Sequence, residues 1–167
     1  MGDIRENLKA AFAGESQASR KYAAFALRAD KEGFPNVARL FRAAAQAETV
    51  HARRDLEALG ENKSTAENVQ TAIDGETYET TEMYPSFLKG VDPEADKLAY
   101  KAFDYAMRIE ADHARFYKEA SAALKGGGDL PSRQMYVCPG CGYTHYDTAP
   151  DPCPICGAPK EAFMKIE

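Results

Sequence analysis

Two short stretches place a carboxylate and an imidazole three residues apart in helix-forming surroundings: Glu48 and His51 in QAETVHA, and Glu110 and His113 in IEADHAR. The chain has only three histidines, and two of them occupy this pattern. On a helix, residues three apart share a face, so each pair aims both donors in one direction. Four cysteines follow near the C-terminus as two C-x-x-C pairs, Cys138/Cys141 in CPGCGY and Cys153/Cys156 in CPICGAP. Carboxylate with imidazole, and four thiolates, are two different metal-binding chemistries.

The helices that must carry the first set can be traced by their apolar stripes. One helix is expected from about Asp3, its cap, to Lys31, ended by Gly33. Pro35 opens a second that runs to Leu59 and is closed by Gly60. Ser64 to Glu67 has capping-box spacing and starts a third, expected to last to about Tyr84 before Pro85. Pro93 is expected to open a fourth that ends near Lys125.

Each stripe is interrupted near its middle. Glu15 interrupts the first, Glu48 with His51 the second, Glu76 with Glu79 the third, and Glu110 with His113 the fourth. AFAGE (11–15) and AIDGE (72–76) are echoes, so the four helices read as two copies of one hairpin. Five core-facing carboxylates repel one another and are costly to bury unless cations compensate them. Two divalent ions would do so. Di-metal four-helix bundles use one Glu from each of two helices and Glu-x-x-His from the other two. Glu15, Glu48/His51, Glu76 and Glu110/His113 supply that set, with Glu79 as an additional carboxylate one turn on. Tyr22, on the first stripe, and Tyr84 read as core residues or as hydrogen-bond donors to a ligand carboxylate.

KGGGDLPSRQ (125–134) reads as a linker. The 33 residues from Met135 to Glu167 are too few for a stable apolar core, and four thiolates closing on one metal would hold them. Spacing alone leaves zinc and iron both open.

Composition narrows the function classes. The chain has 167 residues, 44% hydrophobic and 28% charged, with net charge −5, which does not favour a nucleic-acid partner. It contains no apolar run long enough to span a bilayer and no signal-peptide layout at its start, so a cytoplasmic location is expected. A reducing cytosol also favours metal-held over disulfide-bonded cysteines.

Taken in order, AFAGESQASRKY, QAETVHA, AIDGETYETTEMYP, IEADHA and YVCPGCGYTHYDTAPDPCPICGAPKEAF resemble the rubrerythrin family over nearly the whole chain. The resemblance implies an all-α ferritin-like four-helix bundle at 1–125, a linker at 126–134, and a small metal-stabilised rubredoxin-like β domain at 135–167. It implies di-iron ligands Glu15, Glu48, His51, Glu76, Glu79, Glu110 and His113, with Tyr22 and Tyr84 nearby. Cys138, Cys141, Cys153 and Cys156 would hold a third iron. Tyr136 stands where some rubredoxin-like domains carry tryptophan, and this chain has none. The implied activity is reduction of hydrogen peroxide to water, with an external electron-donor protein or reductase feeding the cysteine-held iron. A ferroxidase, or a helical interaction module with a zinc ribbon, are the alternatives. A five-residue link between the second and third helices reaches at most ~18 Å, short of the ~30 Å return a parallel third helix needs. This predicts a homodimer with helix pairs exchanged between chains, unless the helices fray early and lengthen the crossover.

Overall fold

A computed structural model describes residues 3–167. Its helices are α1 (Ile4–Lys31), α2 (Pro35–Leu59), α3 (Thr65–Tyr78), α4 (Tyr84–Leu88) and α5 (Lys97–Lys125). Strands β1 (Met135–Val137), β2 (Thr144–Tyr146) and β3 (Met164–Ile166) follow. The chain forms two compact units, one reaching to Lys63 and one from Ser64 to Glu167. Among the described residues, no helix is long and apolar enough to cross a membrane.

The first unit is the α1–α2 hairpin. Asp3 caps α1 by accepting from the Arg5 amide at 3.1 Å. Gly33 (φ 82°) and Gly60 (φ 68°) adopt the left-handed backbone that favours glycine and stop the two helices where expected. Ala26, Ala29, Ala38, Ala45 and Ala52 are buried, and side chains this small let helices approach closely. Arg5 reaches from the start of α1 to the Leu59 carbonyl (3.2 Å) and Glu61 (3.0 Å) at the end of α2.

The second unit begins with the Ser64–Glu67 capping box, as its spacing predicts. The third helix does not end at Tyr84. Between α3 and α4 the chain makes a π-helical turn, Glu79–Met83, in which the Tyr84 amide bonds to the Glu79 carbonyl five residues back. Pro85 follows where the ladder is already offset, so the helix continues to Leu88. The fourth helix starts later than Pro93. The Asp92 carboxylate accepts from the Glu94 (2.8 Å) and Ala95 (3.2 Å) amides, holding a turn, and α5 begins at Lys97.

After α5 the tail folds as a three-stranded antiparallel sheet in the order β2-β1-β3. Met135 pairs with Tyr146 on one side and Ile166 on the other. The sheet meets α5 through Phe116, whose ring stands edge-on to Tyr146 with centroids 4.6 Å apart. Arg115 lies over the Phe116 ring and Arg133 over that of Tyr146, at 4.3 and 4.2 Å.

Candidate metal centres

In the first unit, Glu15 comes from α1 and Glu48 with His51 from α2. Their donor atoms lie within 4.8 Å of one another. His51 Nδ1 is 2.8 Å from Glu48 Oε2 and 3.7 Å from Glu15 Oε2. Glu15 and Glu48 face each other across the hairpin. The interaction with Glu48 raises the Glu15 carboxyl, and the interaction with Glu15, then the bond from His51, lowers Glu48.

The second unit repeats the arrangement. Glu76 on α3 and Glu110 with His113 on α5 also lie within 4.8 Å. His113 Nδ1 is 2.6 Å from Glu110 Oε2 and 3.9 Å from Glu76 Oε1. Burial, and then the charge of Glu110, push the Glu76 carboxyl up to about 7. The hydrogen bond to Glu110 raises His113, against the opposing effect of burial. Glu79 is not within this close triad. It is half-buried nearby and is raised by burial and by the charge of Glu110.

Both hairpins add the same aromatic cluster. Tyr22, Phe25 and Phe41 meet in the first, with centroids 5.6 to 6.2 Å apart. Tyr84, Phe87 and Phe103 meet in the second, at 5.4 to 6.3 Å. Tyr22 follows Glu15 by seven positions, whereas Tyr84 follows Glu76 by eight. The π turn absorbs that one extra residue and keeps the two clusters equivalent. Tyr84 is raised by burial and then by the charges of Glu79, Glu110 and Glu76. Tyr22 is an aromatic-cluster residue with Phe25 and Phe41.

In the tail, two matching loops present the sulfurs. The Gly142 amide bonds the Cys138 carbonyl at 2.8 Å, and the Gly157 amide bonds that of Cys153 at 2.9 Å. Gly142 (φ 88°) and Gly157 (φ 75°) turn the chain so that neighbouring amides point at sulfur. Cys138 and Cys156 Sγ are 3.6 Å apart, and Cys141 and Cys153 Sγ 3.7 Å. These match the edge of a tetrahedron, ~3.8 Å for metal–sulfur bonds of ~2.3 Å. All four are free thiols. Burial pushes Cys138 and Cys141 up. Burial acts on Cys153 too, but the Cys156 and Ile155 amides and the adjacent thiols bring it down to about 7. His145 is half-buried against Tyr143, its Nδ1 3.2 Å from the phenol oxygen.

One residue had no sequence signal. Thr144 is buried, 8% exposed, and its Oγ1 lies 2.9 Å from His113 Nε2. Threonine carries no metal-site signature, and only the fold brings β2 to α5.

These donor sets define a metalloprotein with carboxylate–histidine triads on helices and a separate tetrathiolate centre. Hard carboxylate with imidazole suits iron, and four sulfurs in a tetrahedron suit iron or zinc. A rubrerythrin family model matches residues 6–121, and a rubrerythrin rubredoxin-like domain model matches residues 136–164. The chain is 33% identical to rubrerythrin-2 of Clostridium acetobutylicum, covering 94% of this chain and 93% of that one. It is 35% identical to nigerythrin of Nitratidesulfovibrio vulgaris, covering 98% and 86%. A solved structure of nigerythrin in its fully reduced, all-ferrous state aligns with 99% of this chain and 88% of its own, at 34% identity and TM-score 0.56. The chain belongs to the rubrerythrin family. It therefore has a ferritin-like di-iron part and a rubredoxin-like iron site, in a family of oxidoreductases.

Proposed function

We propose that this protein is a non-haem di-iron peroxidase that reduces hydrogen peroxide to water, fed with electrons through the cysteine-held iron by an external donor protein or reductase. The observation that carries the reading is the pair of matching triads, Glu15/Glu48/His51 and Glu76/Glu110/His113. Together they are the ligand complement of a carboxylate-bridged two-ion centre. Glu79 is the seventh ligand, and Cys138, Cys141, Cys153 and Cys156 hold the third iron. Domain limits of 1–125, 126–134 and 135–167 follow from this assignment. A cytoplasmic location accords with four cysteines grouped to hold a metal and not joined as disulfides.

Bound ferrous ions would supply the two electrons by which one hydrogen peroxide and two protons become two waters. The chain's own groups set the environment. His51 and His113 turn Nδ1 toward their glutamates. Tyr84, raised by burial and by carboxylate charge, keeps its phenolic proton and offers a donor beside Glu76, Glu79 and Glu110. Amides directed at sulfur stabilise thiolate at the cysteine site.

The proposed assembly is a homodimer in which α1 and α2 of one chain complete the bundle with α3 to α5 of another. Two features support it. Residues 60–64 form a five-residue link between α2 and α3, as short as the sequence implies. In addition, Phe25 is 46% exposed and Phe87 44%, although both belong to aromatic clusters on the carboxylate-bearing helices. A monomer in solution that retains both carboxylate-held irons would rule out the exchange.

The test of function is stopped-flow oxidation of the fully reduced protein by peroxide and, separately, by dioxygen. Rapid oxidation by peroxide with slow oxidation by dioxygen is expected. The reverse preference would indicate a ferroxidase. Metal analysis should give about three irons per chain, two in the carboxylate centre and one in the thiolate centre.

A further inference from the structure

The hydrogen bond between α5 and β2 assigns a role to a residue outside either ligand set. His113 Nδ1 faces Glu110 and Glu76, and Nε2 points the other way, 2.9 Å from Thr144 Oγ1. A hydroxyl has one hydrogen to give. That of Thr144 goes to the Gly142 carbonyl at 3.2 Å. Thr144 Oγ1 must then accept, so His113 carries its proton on Nε2. Nδ1, on the glutamate side, is hydrogen-bonded to Glu110 at 2.6 Å, and a cation would bind there in place of that hydrogen. Thr144 is 8% exposed, and the cleft beside the contact is lined largely by apolar side chains, among them Val69, Phe116, Leu130 and Met135.

The connection continues into the cysteine loop. Gly142 follows Cys141, and its amide bonds the Cys138 carbonyl at 2.8 Å. A single run of hydrogen bonds therefore leads from the Cys138 loop through Gly142 and Thr144 to the imidazole of the Glu110/His113 triad. Metal-binding histidines depend on such an outer partner for ring orientation and tautomer. In this chain the partner is supplied by the second metal domain.

We propose that Thr144 is a positioning residue: by accepting from His113 Nε2–H it fixes the imidazole for metal binding and ties the tetrathiolate loop to the carboxylate–histidine centre. This rests on the reading of Glu76, Glu110 and His113 as iron ligands.

The test uses the full-length, iron-loaded protein challenged with increasing concentrations of an iron chelator. Iron is counted, and the visible colour of the cysteine-held iron is followed in the same samples. Thr144→Val, which keeps the shape and removes the acceptor, is expected to lose carboxylate-held iron at about tenfold lower chelator concentration, with the colour unchanged. Thr144→Ser, which restores the hydroxyl, is expected to match the parent. In the cobalt-substituted protein, the exchangeable Nε2 proton of one ligand histidine should exchange with deuterated water faster in Thr144→Val only. Three results would overturn the proposal: equal iron retention in Thr144→Val and parent, equal loss in Thr144→Ser and Thr144→Val, or loss of colour together with the carboxylate-held iron. A parent protein that holds only the cysteine-bound iron would overturn the underlying ligand assignment instead.

Discussion

Phe116 of α5 and Tyr146 of β2 meet edge to face with ring centroids 4.6 Å apart, and they fasten the cysteine-bearing sheet to the helix that carries Glu110 and His113. Phe116 is 8% exposed, so its truncation leaves a cavity with little room to relax. Phe116→Ala is expected to cost about 3–5 kcal/mol in chemical unfolding. Tyr146→Leu, which keeps apolar area but loses the ring pairing, should cost about 1 kcal/mol. No measurable cost for Tyr146→Leu would mean that the ring geometry contributes nothing beyond burial.

Acidity should act in opposite directions on the metal-free and iron-loaded protein. The Glu76 carboxyl, ordinarily near 4.5, is pushed up to about 7 in the fold. Between these values the folded chain holds a proton that the unfolded chain releases. Metal-free stability from this group is therefore lost as pH rises from about 4.5 to 7. The raised His113 acts in the same direction: its contribution is complete below its ordinary value of 6.5 and disappears as pH climbs through the raised one. Iron requires the deprotonated carboxylate, so acidification below about 7 should weaken binding. Thermal unfolding at pH 5 and 7.5, with and without iron, checks the pair of slopes.

Cys153→Ser should abolish the visible colour and unfold residues 135–167, because the three short strands have no core of their own to replace the metal. Helical circular dichroism should be largely retained. Near-complete loss of helix would show that the hairpins need the tail.

Glu110→Ala is expected to release the carboxylate-held iron and leave the cysteine-held iron in place. Removing one partner also leaves His113 without its 2.6 Å neighbour. Iron analysis with the visible spectrum distinguishes this from general misfolding, which would remove both.

Deleting Thr81 should convert the π turn into regular helix while keeping the Tyr84–Phe87–Phe103 cluster, since Tyr84 would then follow Glu76 by seven positions, as Tyr22 follows Glu15. π-helical geometry is uncommon, occurs mostly as single turns inside α-helices and is frequent at functional sites. Thermal stability should be equal or higher, and iron uptake altered. A clear loss of stability would show that the turn supports the fold itself.

The parts of the fold that were legible in the sequence are those written by single residues with one conformational meaning. Asp3, Gly33, Pro35 and Gly60 set the ends of α1 and α2, and the structure places them there. Pro85 and Pro93 misled for physical reasons. The π turn had already offset the ladder at Pro85, and the Asp92 side chain, not Pro93, organises the turn before α5. At the centres, each Glu-x-x-His pair and its preceding glutamate do converge. Glu79 shares their electrostatics without joining the close triad, and its role remains part of the proposal. Thr144 was invisible because its importance comes from a contact across 31 positions of chain.

The extra residue in the third helix breaks what would otherwise be a repeat. The first hairpin offers two glutamates and one histidine, and the second offers the same set with Glu79 alongside. Ions bound beside the two halves would feel unequal negative potential, so the electron-rich side is the one expected to give up its electron first. In the proposed centre a duplicated scaffold would in this way be polarised, and its two metal positions would not be interchangeable.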